Sequence, residues 1–574
     1  MRPRSSWLFS LLGLLLPDGT ASAQTIDLLS QEGDPVVGFG LLDVVKNLVV
    51  NNEGGWLVLA KTESLGGVTD NVVLRQGFTA VGEGDFLAAP PGASIGSLNS
   101  SSWRYDDSGN ILWTLSIDGP GVSNSNNDCL YWNTRLLARE DFLVGASEGQ
   151  VSPGTLYQAF LSFDFVTPRK ILVFCRIEDP AAGSADAVVE LTIDEFGSVE
   201  ETRVLITRNQ QFPVDLDPDD ADPMVFKGYT PATRFHSVGV NGHGDFIWGA
   251  KTLTEPPGHY MLIGLHTIVA RVGQSFSVSG SSNLDGRSIA SFRSVEADIN
   301  DFGDCVHTAE LNSTIGGPLV NTDEVLMVNG EVYIQEGQTL PSLNGATVGR
   351  ATDGPVYIAN SRDVFWIADL NNTLGSEDLA YMRNHDVILR KGLDFVDGLR
   401  VTGLRKSANS FSVSDDGRFW MAEVTLQGNL DAVVMADFGL ALELPGCVGN
   451  PGTMQVRSGT VRAGDTLSLD LDNGQTPGVI TAVLISGRAP EGGGGECGSM
   501  TPFGELLAVA PYALMEIGPL WVGTPAVIRL DIPNNIALVD SEWYAQGLFV
   551  DFAGTLPEED LRLTNGMRLE IGVP

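Results

Sequence analysis

The residues in this chain best able to do chemistry sit in one short run: Asp215-Leu216-Asp217-Pro218-Asp219-Asp220-Ala221-Asp222-Pro223, five carboxylates in nine residues. Hard cations such as calcium take roughly six to eight oxygens, and alternate spacing at Asp215, Asp217 and Asp219 points several carboxylates at one centre. The run departs from an EF-hand loop, with Asp220 where that loop has glycine and Phe226 where it has its bidentate glutamate. Two readings follow: a calcium loop held by Asp215, Asp217, Asp219, Asp220 and Asp222, or a solvated acidic loop bounded by prolines.

The six histidines are scattered. His236 and His243 lie seven apart around a turn, and His259 and His266 flank an apolar strand, an arrangement that local packing explains better than zinc ligation. There is no Gly-x-Ser-x-Gly elbow, no phosphate-binding loop and no His-Glu-x-x-His. The sequence therefore nominates no catalytic residue and no cofactor beyond calcium. That leaves an enzyme open, because an active site can be gathered from distant repeats.

Five cysteines leave at least one unpaired within a single chain. Cys447 and Cys497 are expected to pair, Cys129 with Cys175 is a second candidate pair, and Cys305, in an apolar strand pattern, reads as a small buried hydrophobe. Trp56, Trp113, Trp248, Trp366 and Trp420 recur at one position of a repeating strand. Sugar-stacking platforms are one reading, and packing between neighbouring sheets is the simpler one.

The elements that must position these groups come from a repeat in two alternating halves. A turn of the form Asn/Asp-x-x-Gly, followed by an apolar strand, appears at Asn51-Asn52-Glu53-Gly54, Asp106-Asp107-Ser108-Gly109, Asn241-Gly242-His243-Gly244, Asn300-Asp301-Phe302-Gly303 and Ser414-Asp415-Asp416-Gly417. Two of the four intervals are about double the others, and worn copies are expected at Ile171 to Phe174 and Val364 to Ala368. Between them run strands ending in Arg or Gln two residues before Gly, such as Val73-Leu74-Arg75-Gln76-Gly77, Ile334-Gln335-Glu336-Gly337 and Leu389-Arg390-Lys391-Gly392. Glycine supplies positive φ cheaply, and Asn or Asp bonds its own backbone, so these signatures report hairpins.

Units of about 55 to 65 residues with four strands each fit the blades of a β-propeller, with seven blades expected and eight the alternative. The alternation resembles a family of exported bacterial tandem-repeat proteins with the motif Asn-x-x-Gly-x-x-x-Ala-Phe, across roughly residues 26–440. Here the Ala-Phe pair is mostly replaced, as in Ile247-Trp248 and Val306-His307. The resemblance implies a repeat scaffold at or outside the cell surface, without catalytic residues. A second comparison is with sialidases, whose blades carry Ser-x-Asp-x-Gly-x-x-Trp. Asp415-x-Gly417-x-x-Trp420 matches its end, while Val413 replaces Ser and Trp113 and Trp248 fall one residue late.

From Pro445 the pattern changes to Pro-Gly-Cys-x-Gly-Asn and then to strict alternation at Leu467, Leu469, Leu471 and at Ile528, Leu530, Ile532. This predicts an antiparallel β-sandwich over 445–574. The segments Trp543 to Gly547 and Thr564 to Leu569 are similar to the last hairpin of a β domain common at the C-termini of exported bacterial proteins, which implies surface attachment. A structural cap on the repeat domain is the other reading.

Residues 1–23 have the parts of a secretory signal: Arg2 and Arg4, an apolar run from Trp7 to Leu16, and Ala21-Ser22-Ala23. No stretch reaches the roughly 20 apolar residues of a spanning helix. The remaining expectation is an exported repeat domain over 24–440, all-β like its successor. A formal net charge of −38 repels nucleic acid and anionic membranes and attracts cations.

Three functional classes remain. The first is a non-enzymatic binding or scaffold protein of the cell surface or extracellular space, with an extracellular glycan or cell-surface component as partner. The second is a secreted hydrolase or lyase acting on polysaccharide, which requires perturbed carboxylates converging in one pocket. The third is a structural component of the cell envelope, which requires an exposed apolar patch or an unpaired strand edge.

Overall fold

The computed structural model describes residues 26–63, 69–98, 102–123, 126–145, 151–213, 224–229, 239–253, 258–275, 287–292, 297–312, 323–350, 354–407, 409–444, 446–472, 479–490, 497–550 and 561–572. Apart from two short 3-10 turns, every regular element among them is a strand, and the sheets are antiparallel. No described helix is long and apolar enough to cross a membrane.

The first three quarters of the chain form seven sheets, one per repeat. Each contains the strand that follows the glycine turn: Trp56–Glu63, Ile111–Asp118, Lys170–Asp179, Phe246–Thr252, Cys305–Leu311, Val364–Asn371 and Phe419–Leu426. The third and sixth of these occupy the places expected for worn copies of the turn half. In five sheets the strand before the turn is broken in two, both pieces pairing with the same neighbour; Asp298–Ile299 and Ile289–Ser291, for example, both pair with Cys305–Leu311. In the first and third sheets it runs on through bulges, as Gly40–Val50 and Leu156–Thr167.

Successive sheets pack face to face through separate apolar layers. Leu57 and Leu59 meet Ile117 and Tyr131 between the first and second sheets. Phe174 meets Phe226 and Trp248 between the third and fourth, and Phe365 meets Phe411 and Trp420 between the sixth and seventh. A further layer, Val58 and Val72 with Phe419 and Met421, joins the seventh sheet back to the first. The early strand Asp27–Gln31 pairs with Leu430–Asp437, so the outermost strand of the last sheet comes from the start of the chain.

Gly417 shows why the turn needs glycine: its φ is +81°, and a Cβ there would lie 2.7 Å from the Cβ of Ala359 in the preceding sheet. The recurring tryptophans are buried in the layers, where each contributes roughly 2–3 kcal/mol by leaving water. Three of them also donate the indole N–H to a carbonyl at the next hairpin: Trp113 to Asn133 (2.7 Å), Trp248 to Gly264 (2.7 Å) and Trp366 to Asn384 (2.9 Å). Packing accounts for this stripe, and none of its rings is free to stack on a sugar.

The candidate pair Cys129–Cys175 does not form. Both thiols are free and buried, as is that of Cys305. Cys129 faces the layer between the first and second sheets, Cys175 the layer between the second and third. The second sheet stands between them, and a disulfide cannot reach across a sheet.

The second unit begins earlier than the composition change at Pro445: Leu440–Leu444 already pairs with the final strand, Leu561–Glu570. Its five-stranded sheet, ordered Leu440–Leu444, Leu561–Glu570, Glu542–Val550, Val479–Ser486 and Tyr512–Trp521, faces a three-stranded sheet of Thr453–Ser458, Thr466–Asp472 and Ala526–Asp531. Leu467, Leu469, Leu471, Ile528 and Leu530 from the small sheet fill the layer against Val483, Phe549 and Met567 from the large one. Cys447 and Cys497 form the expected disulfide. Burial alone would raise the Glu505 carboxyl, but it accepts N–H groups from Val448 (2.9 Å) and Gly498 (2.6 Å) on either side of that bridge, and these hold its pKa below the usual range.

Candidate functional site: a carboxylate-lined central cavity

The glycine turns do more than close hairpins, because they bond one another across sheet boundaries. Asn52 donates its N–H to Asp107 Oδ1 (2.9 Å) and its amide nitrogen to Asp107 Oδ2 (2.8 Å), while Asp416 donates its N–H to Asn52 Oδ1 (2.9 Å). On the other side Gly242 donates to Asp301 Oδ1 (2.7 Å), Asp301 to Asn360 Oδ1 (2.8 Å), and the Asn360 backbone to the Asp415 carbonyl (2.7 Å). Asn52, Asp107, Asp301 and Asn360, each second in its turn, take part through their side chains, while Gly242 and Asp416 donate backbone N–H groups.

These turns and the strands leading into them surround a cavity of about 350 Å³ to which all seven sheets contribute. Its lining carries Asp106, Asp107, Asp164, Asp298, Asp301 and Asp415, against one basic side chain, Arg104. Arg104 is committed to Asp164, with Nε 2.8 Å from Oδ2. The other Asp164 oxygen accepts the N–H of Phe165 (2.8 Å). Asp298 accepts the N–H of Ile358 (2.9 Å), again from the next sheet.

The cavity penalises charge. Protein on all sides pushes the Asp298 carboxyl up to about 7, with the charge of Asp164 adding to the effect and the N–H groups of Ile358 and Ile299 opposing it. Asp164 is also raised by burial, against the pull of Arg104. Asp415 opens into the cavity yet is surrounded by protein, and burial together with Asp164, Asp107, Asp298 and Asp416 holds it well above the carboxylate range. With its pKa near 7, Asp298 is divided between protonated and ionised forms at neutral pH. Protonated carboxyls donate hydrogen bonds, ionised ones accept them or attract a cation, and an entering cation favours the ionised form of all of them.

Of the acidic run and the histidines singled out from their spacing along the chain, those that are described do not line the cavity. Asp215, Asp217, Asp219, Asp220 and Asp222, with His236, lie outside the described residues. His243 and His266 are exposed and His259 is half-buried, its pKa lowered by burial and by Lys251, and none of them lines the cavity. Among described residues the only Cys/His/Asp/Glu group close enough to share an ion is Cys447, Cys497 and Glu505, and there the sulfurs are bonded to each other and the carboxylate is filled by backbone N–H groups.

The cavity itself was not legible as a site. Asp107, Asp301 and Asp415 belong to the turn motif, where they read as hairpin residues. Arg104, Asp164 and Asp298 precede the turns, and only the packing of one repeat on the next brings them together.

No family model matches this chain. No curated protein matches it either. Among solved structures it is similar to a puromycin-hydrolysing peptidase of Mycobacterium tuberculosis, at 12% identity and a TM-score of 0.30, over 78% of this chain and 61% of that one, so the chain spans about six-tenths of the peptidase's length. A protein of unknown function from Dyadobacter fermentans is 10% identical with a TM-score of 0.25, over 72% of this chain and 98% of that one. An ancestral GH74 enzyme is 8% identical with a TM-score of 0.18, over 91% and 67%. None of these likenesses is close enough to carry an argument about function.

Proposed function

We propose that the protein is an exported, non-enzymatic binding scaffold, in which a seven-bladed β-propeller presents the central cavity to a cationic group of an extracellular or cell-surface partner and a C-terminal β-sandwich attaches or caps it. The propeller reading is supported by seven sheets joined through seven apolar layers, the seventh to the first, and by an early strand completing the last sheet. The observation that carries the binding reading is the lining of the cavity: six aspartates, one arginine, and that arginine already paired. Carboxyls held above their usual pKa by one another and by burial gain from a positive partner.

Titration calorimetry of residues 24–574 with a primary diamine, in two buffers of different ionisation enthalpy, tests this. Binding near pH 7 should release protons, and Asp298→Asn/Asp415→Asn should abolish it. Heats identical in native and double variant would remove the cavity from consideration.

The second reading is a secreted polysaccharide hydrolase or lyase, favoured by one feature: Asp298, held at about 7, beside the arginine-paired Asp164. A pair of carboxyls, one of them poised near neutral pH, is what glycosidic acid–base chemistry requires. A reducing-sugar assay on a polysaccharide panel distinguishes the readings, since turnover lost in Asp298→Asn would belong only to the enzyme.

A further inference from the structure

The strand Tyr512–Trp521 is the outermost of the five-stranded sheet, paired with Val479–Ser486 on one side and, among the described residues, with no strand on the other. Its first half is bare on both faces as well. Leu514 is 42%, Met515 55% and Ile517 65% exposed, and Tyr512 and Ala513 are exposed beside them. Strand residues alternate between faces, so Leu514 and Ile517 lie on opposite sides, and the exposed surface is the whole rim of the strand.

Sheet edges are normally guarded by lysine, by proline, by a bulge or by a covering segment. Here Pro511 and Pro519 bound the stretch and its pairing with Val479–Ser486 shifts register at both ends, which leaves Leu514 to Ile517 as a regular edge without proline or bulge, its one charge Glu516. Further along, Leu520 is again exposed while Trp521 is buried, and Gly518 packs so tightly on Ile528 that a Cβ would meet its Cγ1 at 2.4 Å.

We infer that this edge is a self-association surface, on which a second copy of the chain pairs antiparallel about a twofold axis and extends the sheet from five strands into a second five. A second copy fits because the edge is its own complement. Centred on Met515, the pairing sets Glu516 opposite Leu514 of the other copy, so no two carboxylates face each other. At −38 per chain, any contact between copies must avoid the charged surface, and this rim, with a single carboxylate, does so. So short an edge buries well under the roughly 800 Å² per partner of a standard interface, so the dimer is concentration-dependent. The inference does not rest on what the cavity binds.

Size-exclusion chromatography with light scattering on residues 24–574, from about 1 to 100 µM protein in low and high salt, tests it over the range where weak dimers form. The dimer fraction should rise with protein concentration and with salt, which screens the repulsion between copies. Leu514→Lys and Ile517→Lys, both at exposed positions and checked for an unchanged melting temperature, should each raise the dissociation constant at least tenfold. Hydrogen–deuterium exchange on the native protein adds a readout that needs no variant: amides in 512–517 should gain protection as concentration rises. A monomer under every condition, or a dimer that persists unchanged in both lysine variants, overturns the inference.

Discussion

The guanidinium of Arg418 lies 3.2 Å from the Glu570 carboxylate, 152 residues further along the chain. Arg418 sits in the last glycine turn of the repeats, Glu570 at the end of the final strand, and the same guanidinium holds Asp437 through Nε (3.1 Å) and Asp540 through Nη2 (2.9 Å). One side chain thus joins the end of the strand Leu430–Asp437 in the last repeat to two points of the second unit.

Arg418→Ala should cost about 2–3 kcal/mol, because Asp437 and Glu570 stay largely buried without their counter-ion. Asp540 is exposed and contributes little. Urea unfolding followed by tryptophan fluorescence should shift to a lower midpoint and separate into two transitions as the units uncouple. A single transition with the native midpoint would show that the ion cluster is energetically idle.

His307 is fully buried beside Phe292, with neither ring nitrogen hydrogen-bonded, and burial lowers its pKa from 6.5 to about 4. The unfolded chain therefore binds the proton more readily, and stability falls as pH drops from about 6.5 to about 4, levelling off below. The full effect is about 3 kcal/mol. His307→Leu should flatten this part of the profile, seen as a melting temperature that differs from native by more at pH 4.5 than at pH 7.5.

Asp298 carries the opposite dependence. Its carboxyl is raised from 3.8 to about 7 in the folded state, so the folded protein holds the proton longer and stability falls as pH rises from about 4 to about 7. Asp298→Asn keeps an acceptor for the Ile358 N–H and should gain about 1–2 kcal/mol at pH 8, less than the full shift because the carboxyl faces the cavity. At pH 4 the variant and native melting curves should coincide.

Thiol chemistry should divide the cysteines cleanly. An aromatic disulfide reagent should find no reactive thiol in the folded protein and three after denaturation, since burial pushes Cys129 up to about 12 and Cys305 up to about 11 and also raises Cys175. Breaking Cys447–Cys497, which closes a span of 50 residues, should cost about 4 kcal/mol in the second unit if chain entropy dominates. Selective loss of the transition assigned to that unit under reductant is the expected calorimetric result.

What the sequence made legible were features written in local geometry. Gly54, Gly109, Gly244, Gly303 and Gly417 all take positive φ, from +70° to +90°, and a turn that needs such a residue leaves its mark at a fixed spacing. The alternation at Leu467, Leu469 and Leu471 marks one face of a strand, and all three residues are buried. Less was visible where a property belongs to two distant segments. Cys129 and Cys175 looked like partners because the face each presents depends on which layer its strand borders. Asp164, Asp298 and Asp415 acquire their electrostatics from one another, and no spacing along the chain encodes that. Likewise, the strand Asp27–Gln31 has an ordinary composition, and its partner is fixed only once the last sheet arrives beside the first.

That pairing sets a timetable. A chain made from its N-terminus produces Asp27–Gln31 first and Leu430–Asp437 about 400 residues later. At roughly 5–20 residues per second the early strand waits on the order of 20 to 80 seconds for the backbone groups that complete it. Until then the first segment is a donor without an acceptor, the last sheet is one strand short, and neighbouring nascent copies on the same message offer each other the missing piece.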